Sequence, residues 1–365
     1  LLFQLMRIAI GAQDTLQGEV SADEWQQLLV VSKKQALLAL CFEAVSKLPM
    51  EQMPPQQVLL KWMAFSNKVN QRNKVLNDRC VELQRRLLDD GFQHVCVLKG
   101  QGNATMYPNP LSRQCGDIDV YVDTDEKTAT EYCARFNKED DFEIGFEHIE
   151  LEMFDDAEVE FHFNVGGSCG AIRKRLEQWF RTELPNRITS VTLPNGQQLN
   201  VPDTFANIVH QASHIYHHFV AEGVGLRQIV DFYLLIARAK AEGIDFSLLR
   251  KTLSQLHILN ITRAVFHVLK VVMGANDDML PWAPSKGYGE FLLRSILEGG
   301  NFGTASHEYT GPNVKTLRGM WLRFKLYAEK IKFLRYDPYI TATGVARIAR
   351  GVAKKTGQFF KGELK

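Results

Sequence analysis

Gly116-Asp117-Ile118-Asp119-Val120-Tyr121-Val122 decides how the rest of the chain is read. Apolar and polar residues alternate along it, which is the period of a β-strand. Ile118, Val120 and Val122 fall on one face, and Asp117, Asp119 and Tyr121 on the other. Two carboxylates separated by one residue on a strand point the same way. At about 4 Å such a pair repels by roughly 4 kcal/mol at an effective dielectric of 20. A fold keeps the pair on an apolar strand when something neutralises it, and a divalent cation does so. Gly116 ahead of the pair leaves room for a ligand or a close backbone.

Upstream, His94-Val95-Cys96-Val97-Leu98 is a short β-type run. Leu98-Lys99-Gly100-Gln101-Gly102-Asn103 follows it and opens a helix through Ala104 and Met106. Glycines at a strand-to-helix turn let backbone N–H groups approach phosphate, helped by the positive end of the helix. Lys99 can add its charge to a triphosphate, and Arg113, just before the acidic strand, is a second phosphate candidate. Gly100, Gln101, Gly102 and Gly116 complete the expected nucleotide-binding set.

Downstream, residues 146–154 and 158–165 read as two strands joined by Asp155-Asp156-Ala157. Within Glu158-Val159-Glu160-Phe161-His162, the residues Glu158, Glu160 and His162 share one face. If this strand neighbours the acidic one, three carboxylates converge, with Glu160 the expected third and Glu158 its competitor. Such a set holds two magnesium ions, which clamp the attacking and leaving oxygens of an in-line displacement at phosphorus.

The flanks are helical. Ser21-Ala22-Asp23-Glu24 is a capping box, and residues 25–48 are apolar at helical spacing until Pro54-Pro55 breaks the chain. A long amphipathic helix is expected over 57–88, ended by Asp89-Asp90-Gly91. Residues 124–137 are helical by pattern, and 188–201 hold a second hairpin around Pro194-Asn195-Gly196. Pro202-Asp203-Thr204 fits a helix start, and helical patterns follow near 203–219, 226–241, 246–255, 260–273, 287–298 and 314–335. The fold class is α+β, with a small mixed-sheet core at 91–201 between helical regions at 1–90 and 202–365.

Two further patterns lie in the second helical region. His210, His214, His217 and His218 form one stripe on a helix. It reads as a stripe facing the cleft, as a mixture of core and surface, or as a transition-metal site. Arg227 and Asp231 stand at i, i+4, the spacing of a salt bridge, and are alternatively pocket residues for nucleotide or acceptor, as are His162 and His214.

The net charge of +1 hides an asymmetry: residues 315–365 carry thirteen Lys or Arg against Glu329, Asp337 and Glu363. This basic segment is either a solvated helical face or a contact for an anionic partner such as nucleic acid, lipid or a phosphorylated substrate. The cysteines Cys41, Cys80, Cys96, Cys115, Cys133 and Cys169 show no metal-ligand spacing and read as thiols of a reducing, cytoplasmic compartment. No apolar run approaches the ~18 residues of a membrane helix.

The chain resembles the uncharacterised bacterial nucleotidyltransferases of the DNA polymerase β-like superfamily. The resemblance is carried by Val97-Leu98-Lys99-Gly100, by Arg113 followed by Gly116-Asp117-Ile118-Asp119-Val120-Tyr121-Val122, and by Val159-Glu160-Phe161-His162. It extends to His210-Gln211-Ala212-Ser213-His214 and Leu226-Arg227-Gln228-Ile229-Val230-Asp231, and to the helical start at 25–45. It implies a minimal nucleotidyltransferase sheet, magnesium, an NTP donor with ATP the expected one, and transfer of NMP to a hydroxyl. Asp117, Asp119 and Glu160 would be the catalytic, metal-binding carboxylates. Many members carry Gly-Ser or Gly-Gly at the phosphate turn where this chain has Gly100-Gln101, so a hydroxyl contact to phosphate is missing. The competing reading is therefore a catalytically silent relative acting as a nucleotide-binding or regulatory partner. The acceptor, a small molecule, sugar, protein or RNA end, is left open, as is a nucleic-acid-binding role driven by the basic segment.

Overall fold

The computed structural model describes residues 1–299 apart from 139–141, 143, 167–171 and 222. The expected helix at 314–335, the basic segment at 315–365 and Cys169 lie outside the described residues.

Four helices come first: α1 (Leu2–Ala9), α2 (Ala22–Lys34), α3 (Leu38–Val45) and α4 (Gln56–Asp89). The capping box forms at α2. The Glu24 N–H donates to Ser21 Oγ, and the Glu24 carboxylate accepts from the Ser21 N–H at 2.8 Å. The apolar run at 25–48 is not one helix, however. Ala36 takes φ +54° between α2 and α3, a left-handed conformation that costs a residue with a Cβ about 1–2 kcal/mol. The break turns Leu37 and Leu38 into the core. The long helix α4 is confirmed over 34 residues, and Gly91 at φ +99° lets the chain leave it.

A four-stranded mixed sheet follows, built from β1 (Val95–Val97), β2 (Ile118–Val122), β3 (His148–Glu150) and β4 (Val159–His162) in the order β1-β2-β4-β3. The central pair β2 and β4 is parallel, and both outer pairs are antiparallel. Helix α6 (Glu126–Cys133) lies in the β2-to-β4 connection, and the single turn α5 (Gln101–Ala104) follows β1. Helix α7 (Arg173–Glu183), absent from the sequence reading, leads into a separate two-stranded sheet of β5 (Ile188–Thr192) and β6 (Gln198–Pro202).

The strand alternation is realised in packing. Ile118, Val120 and Val122 pack with Leu83 and Leu87 of α4 and with Tyr132 of α6. On the opposite face Cys96, Leu98 and Tyr121 join a larger, helical core. That core also takes α8 (Thr204–Ala221), α9 (Leu226–Ala241), α10 (Phe246–Gln255), α11 (Leu259–Val268, continued as a π turn to Met273) and α12 (Lys286–Gly299). The N-terminal helices share it: Leu5, Trp25 and Trp62 belong to the same cluster as Phe232, Phe266 and Ile296. Polar ties fix the two helical regions together, with Arg7 Nε donating to the Val272 carbonyl at 2.9 Å and the Leu226 N–H donating to Gln35 Oε1 at 3.0 Å. Among the described residues no helix is long and apolar enough to cross a membrane, and Cys41, Cys80, Cys96, Cys115 and Cys133 are free thiols.

Candidate active site

The register of the central parallel pair sets Asp119 opposite Glu160. Asp117 lies two residues before Asp119 and shares its face, so ligand oxygens of Asp117, Asp119 and Glu160 fall within 4.8 Å of one another. Glu158 does not join them. It precedes β4, its side chain is exposed, and it contributes its carbonyl, which accepts the Ile118 N–H at 2.9 Å.

Two cationic groups answer the three carboxylates. Lys99 Nζ lies 2.8 Å from Asp119 Oδ1. His162 Nε2 lies 3.3 Å from the same oxygen and 3.1 Å from Glu160 Oε2. Burial alone would push the Asp119 carboxyl up, but Lys99 and His162 outweigh it and hold it far below the usual carboxylate range. Asp117 is pushed up to about 6, first by the Asp119 charge and then by burial. Burial also opposes ionisation of Glu160, and the His162 hydrogen bond leaves it lowered all the same. Burial works against the His162 cation too, yet hydrogen bonds to the two carboxylates push it up to about 9.

Three carboxylates against two cations leave a net negative charge in a largely buried place. Asp119 Oδ2 is moreover buried without a hydrogen-bond partner, a state that costs a carboxylate several kcal/mol unless something binds it. An all-oxygen donor set this tight matches the chemistry of a hard divalent cation, and the residues present fit one.

Beside the acid cluster, Gly100 takes φ +57° and ψ −118°, the first central position of a type II′ turn, which favours glycine. The helix after it is the single turn α5 and does not reach Met106, so the expected help from a helix end is small. The Gln101 side chain points away from the cleft and donates to the Asn73 carbonyl of α4 at 3.0 Å and to Asn77 Oδ1. A Cβ on Gly102 would come within 2.6 Å of Val201 Cγ1 on β6. Lys99 and Gly100 thus line the cleft, whereas Gln101 and Gly102 brace the turn from behind. Gly116 is exposed, with open space where a side chain would be.

A family model described as uncharacterised nucleotidyltransferase matches residues 21–274. The chain belongs to that family. The matched stretch runs from the cap of α2 to Gly274 at the end of the π turn, and so includes every carboxylate of the cluster. No curated protein matches the chain.

In this nucleotidyltransferase Arg113 is buried in a bidentate pair, its Nε and Nη2 donating to Asp231 at 2.8 and 2.7 Å. Tyr107 Oη donates to the same carboxylate at 2.7 Å, and Arg113 Nη1 faces Cys115 Sγ at 3.1 Å. Arg113 is thus held by Asp231 while it lines a small recess with Lys99, Gly100 and Gly116. Asp231 takes Arg113 as its bidentate partner across the fold, and the charge of Arg227 one turn away also helps to hold its carboxyl down. Arg227 donates to the Gln114 carbonyl and lines the same recess.

The histidine stripe of α8 faces the cleft. His210, His214, His217 and His218 line the same cavity of about 350 Å³ as Asp117, Asp119, Glu160 and His162. His214 Nε2 lies 3.2 Å from Lys99 Nζ and 3.0 Å from His218 Nε2, and its Nδ1 lies 3.2 Å from Gln228 Nε2. Burial pushes His210 down to about 3 and His214 well below its ordinary value, so both are neutral. Among the described residues the stripe itself forms no three-ligand metal group.

Of the cavity residues that the sequence did not single out, Glu147 and Ser213 among them, His148 stands nearest the acid cluster. His148 on β3 pairs with His162 on β4, and its Nδ1 lies 3.7 Å from Glu160 Oε2. The hairpin at 146–165 carried this signal, since a cross-strand partner of His162 shares its face. The long connection between the strands concealed which residue that partner was.

Proposed function

We propose that this chain is an active, magnesium-dependent nucleotidyltransferase that moves an NMP from an NTP, ATP by expectation, to an acceptor hydroxyl. The observation that carries this reading is the convergence of Asp117, Asp119 and Glu160 around a buried Asp119 oxygen without a partner. Bound magnesium supplies Lewis-acid stabilisation of the charge that develops at phosphorus. The chain's own residues do the rest. Lys99, at the junction of the cluster and the Gly100 turn, offers its ammonium to the triphosphate. The recess of Gly100, Gly116 and Arg227 takes the polyphosphate end, where glycine lets the ligand approach the backbone. Arg113 and Asp231 position the loop that leads into β2. The neutral imidazoles of His210 and His214 present hydrogen-bonding edges rather than charge, which suits an acceptor carrying hydroxyls, whether a small molecule, a sugar, a protein side chain or an RNA end.

A catalytically silent nucleotide-binding protein is the second reading. What favours it is Gln101, which brings no hydroxyl to the phosphate turn and whose amide is turned away toward α4. Pyrophosphate release with each NTP across a panel of acceptors separates the two. Magnesium-dependent release by the wild type that is lost in Asp117→Asn supports the enzyme. Nucleotide binding without release under any condition supports the silent protein.

A further inference from the structure

The acid cluster has a second side. Glu160 belongs to the all-oxygen group with Asp117 and Asp119, and also to a group with His148 and His162 whose ligand atoms lie within 4.8 Å of one another. We propose that His148, Glu160 and His162, with Asp119 Oδ1 at the border, form a distinct cation site, in which the ion takes the place of the proton shared by His162 Nε2 with the two carboxylates, and which selects a divalent transition ion such as Mn²⁺, Co²⁺ or Zn²⁺ over magnesium.

Three observations carry it. First, His162 stands at ligand-to-ligand distance from both Glu160 and Asp119, and the part-exposed His148 has a few tenths of an ångström to close. His162 Nε2 stands 3.1 Å from Glu160 Oε2 and 3.3 Å from Asp119 Oδ1, and His148 Nδ1 stands 3.7 Å from Glu160 Oε2. With metal–ligand bonds of about 2.0–2.1 Å, tetrahedral or octahedral ligands stand roughly 3.0–3.4 Å apart. Second, the ligands are mounted on a sheet rather than on loops. His162 and Glu160 are two apart on β4, and His148 is held opposite His162 by the β3–β4 register, with ring centroids 5.0 Å apart. A strand pair of this kind fixes three side chains on one face without needing the metal to gather them. Third, the donor set differs from its neighbour. Magnesium binds oxygen and parts from water reluctantly, whereas imidazole nitrogens suit first-row transition ions. Asp117 takes no part on this side, so the two positions share Glu160 and differ in hardness.

The inference leans on the proposed function only through that shared Glu160 and does not require nucleotidyl transfer. The test is a titration of the full chain with Co²⁺ in millimolar magnesium, followed by visible absorption and by calorimetry. The expected result is one Co²⁺ per chain that excess magnesium does not displace, with a spectrum reporting nitrogen ligation. His148→Ala and His162→Ala are each expected to weaken Co²⁺ binding at least tenfold, while Asp117→Asn keeps it. His162 also neutralises two carboxylates, so its variant can unfold. His148 is 36% exposed, and its variant keeps the test decisive. Displacement of Co²⁺ by magnesium, wild-type Co²⁺ binding in His148→Ala, or loss of Co²⁺ in Asp117→Asn each overturns the proposal. Loss of magnesium-dependent nucleotide binding in Asp117→Asn bears on the transferase reading alone.

Discussion

Asp119 and Glu160 face each other in register on the parallel strands β2 and β4. A slip of β2 by one residue would turn Asp117 and Asp119 into the apolar layer and expose Ile118 and Val120, so the register is held by the same alternation that creates the site. The pairing distinguishes Glu160 from Glu158. Replacing Glu160 by Gln is expected to lower the rate of pyrophosphate release at least ~100-fold, since metal-bound charge stabilisation is worth several kcal/mol. Glu158→Gln is expected to match the wild type. Equal effects of the two substitutions would sink the assignment.

Lys99 should show effects of opposite sign. Its ammonium lies 2.8 Å from Asp119 Oδ1 and competes with a bound cation for that charge. Lys99→Met is therefore expected to tighten magnesium binding in the absence of nucleotide, by roughly tenfold or more given Coulomb energies of a few kcal/mol at this range. The same variant is expected to weaken NTP binding, because a phosphate partner is lost. Calorimetry of each ligand alone measures both, and a change of the same sign in the two would contradict the role given to Lys99.

The Arg113–Asp231 pair predicts a pH dependence of stability. Burial opposes the Asp231 charge, but Arg113 more than compensates and the carboxyl is held below its ordinary value. A lowered folded-state pKa gives stability that is present above the unfolded value, ~3.9, and lost as pH falls through the folded one. Urea unfolding is thus expected to show this contribution intact from neutral pH down to about 4 and lost below it. In Asp231→Asn the acid limb should be flatter and the protein less stable throughout by about 3–5 kcal/mol, because Arg113 is left buried without its partner. An unchanged acid limb would remove the pair from the account.

Gly102 tests the bracing of the phosphate turn. Its added Cβ would meet Val201 Cγ1 at 2.6 Å, an overpacking that costs typically 1–3 kcal/mol. Gly102→Ala should lower the thermal midpoint and impair turnover by moving Lys99. Val201→Ala in the same chain should restore both. Failure of that rescue would mean the glycine serves something other than close packing.

Local periodicity made much of this legible. The alternation at 116–122 separates core from carboxylates without any tertiary information, and the Ser21 capping box and the 34-residue α4 follow from residues within a turn of one another. What escaped was of two kinds. Some signals were local but outweighed: Leu176 and Phe180 mark the buried face of α7 amid a charged composition, and nothing in the sequence around Ala36 announces a left-handed residue. Others were not local at all. Arg113 finds Asp231, and Gln101 finds Asn77, only after α4 and α9 have packed onto the sheet. The same long-range packing turns the Gln101 side chain to α4 and sets Gly102 against Val201. His148 falls between these kinds, since its place follows from a hairpin register that its long connection left undetermined.

The central claim is that Asp117 and Asp119 hold the cation through which a triphosphate is bound. Its most direct measurement is calorimetric titration of a non-hydrolysable ATP analogue into the wild type, Asp117→Asn and Asp119→Asn, with and without magnesium. Binding that requires magnesium in the wild type and is lost in both variants, with their folds intact by circular dichroism, is the predicted result. Magnesium-dependent binding that survives both substitutions unchanged would contradict it.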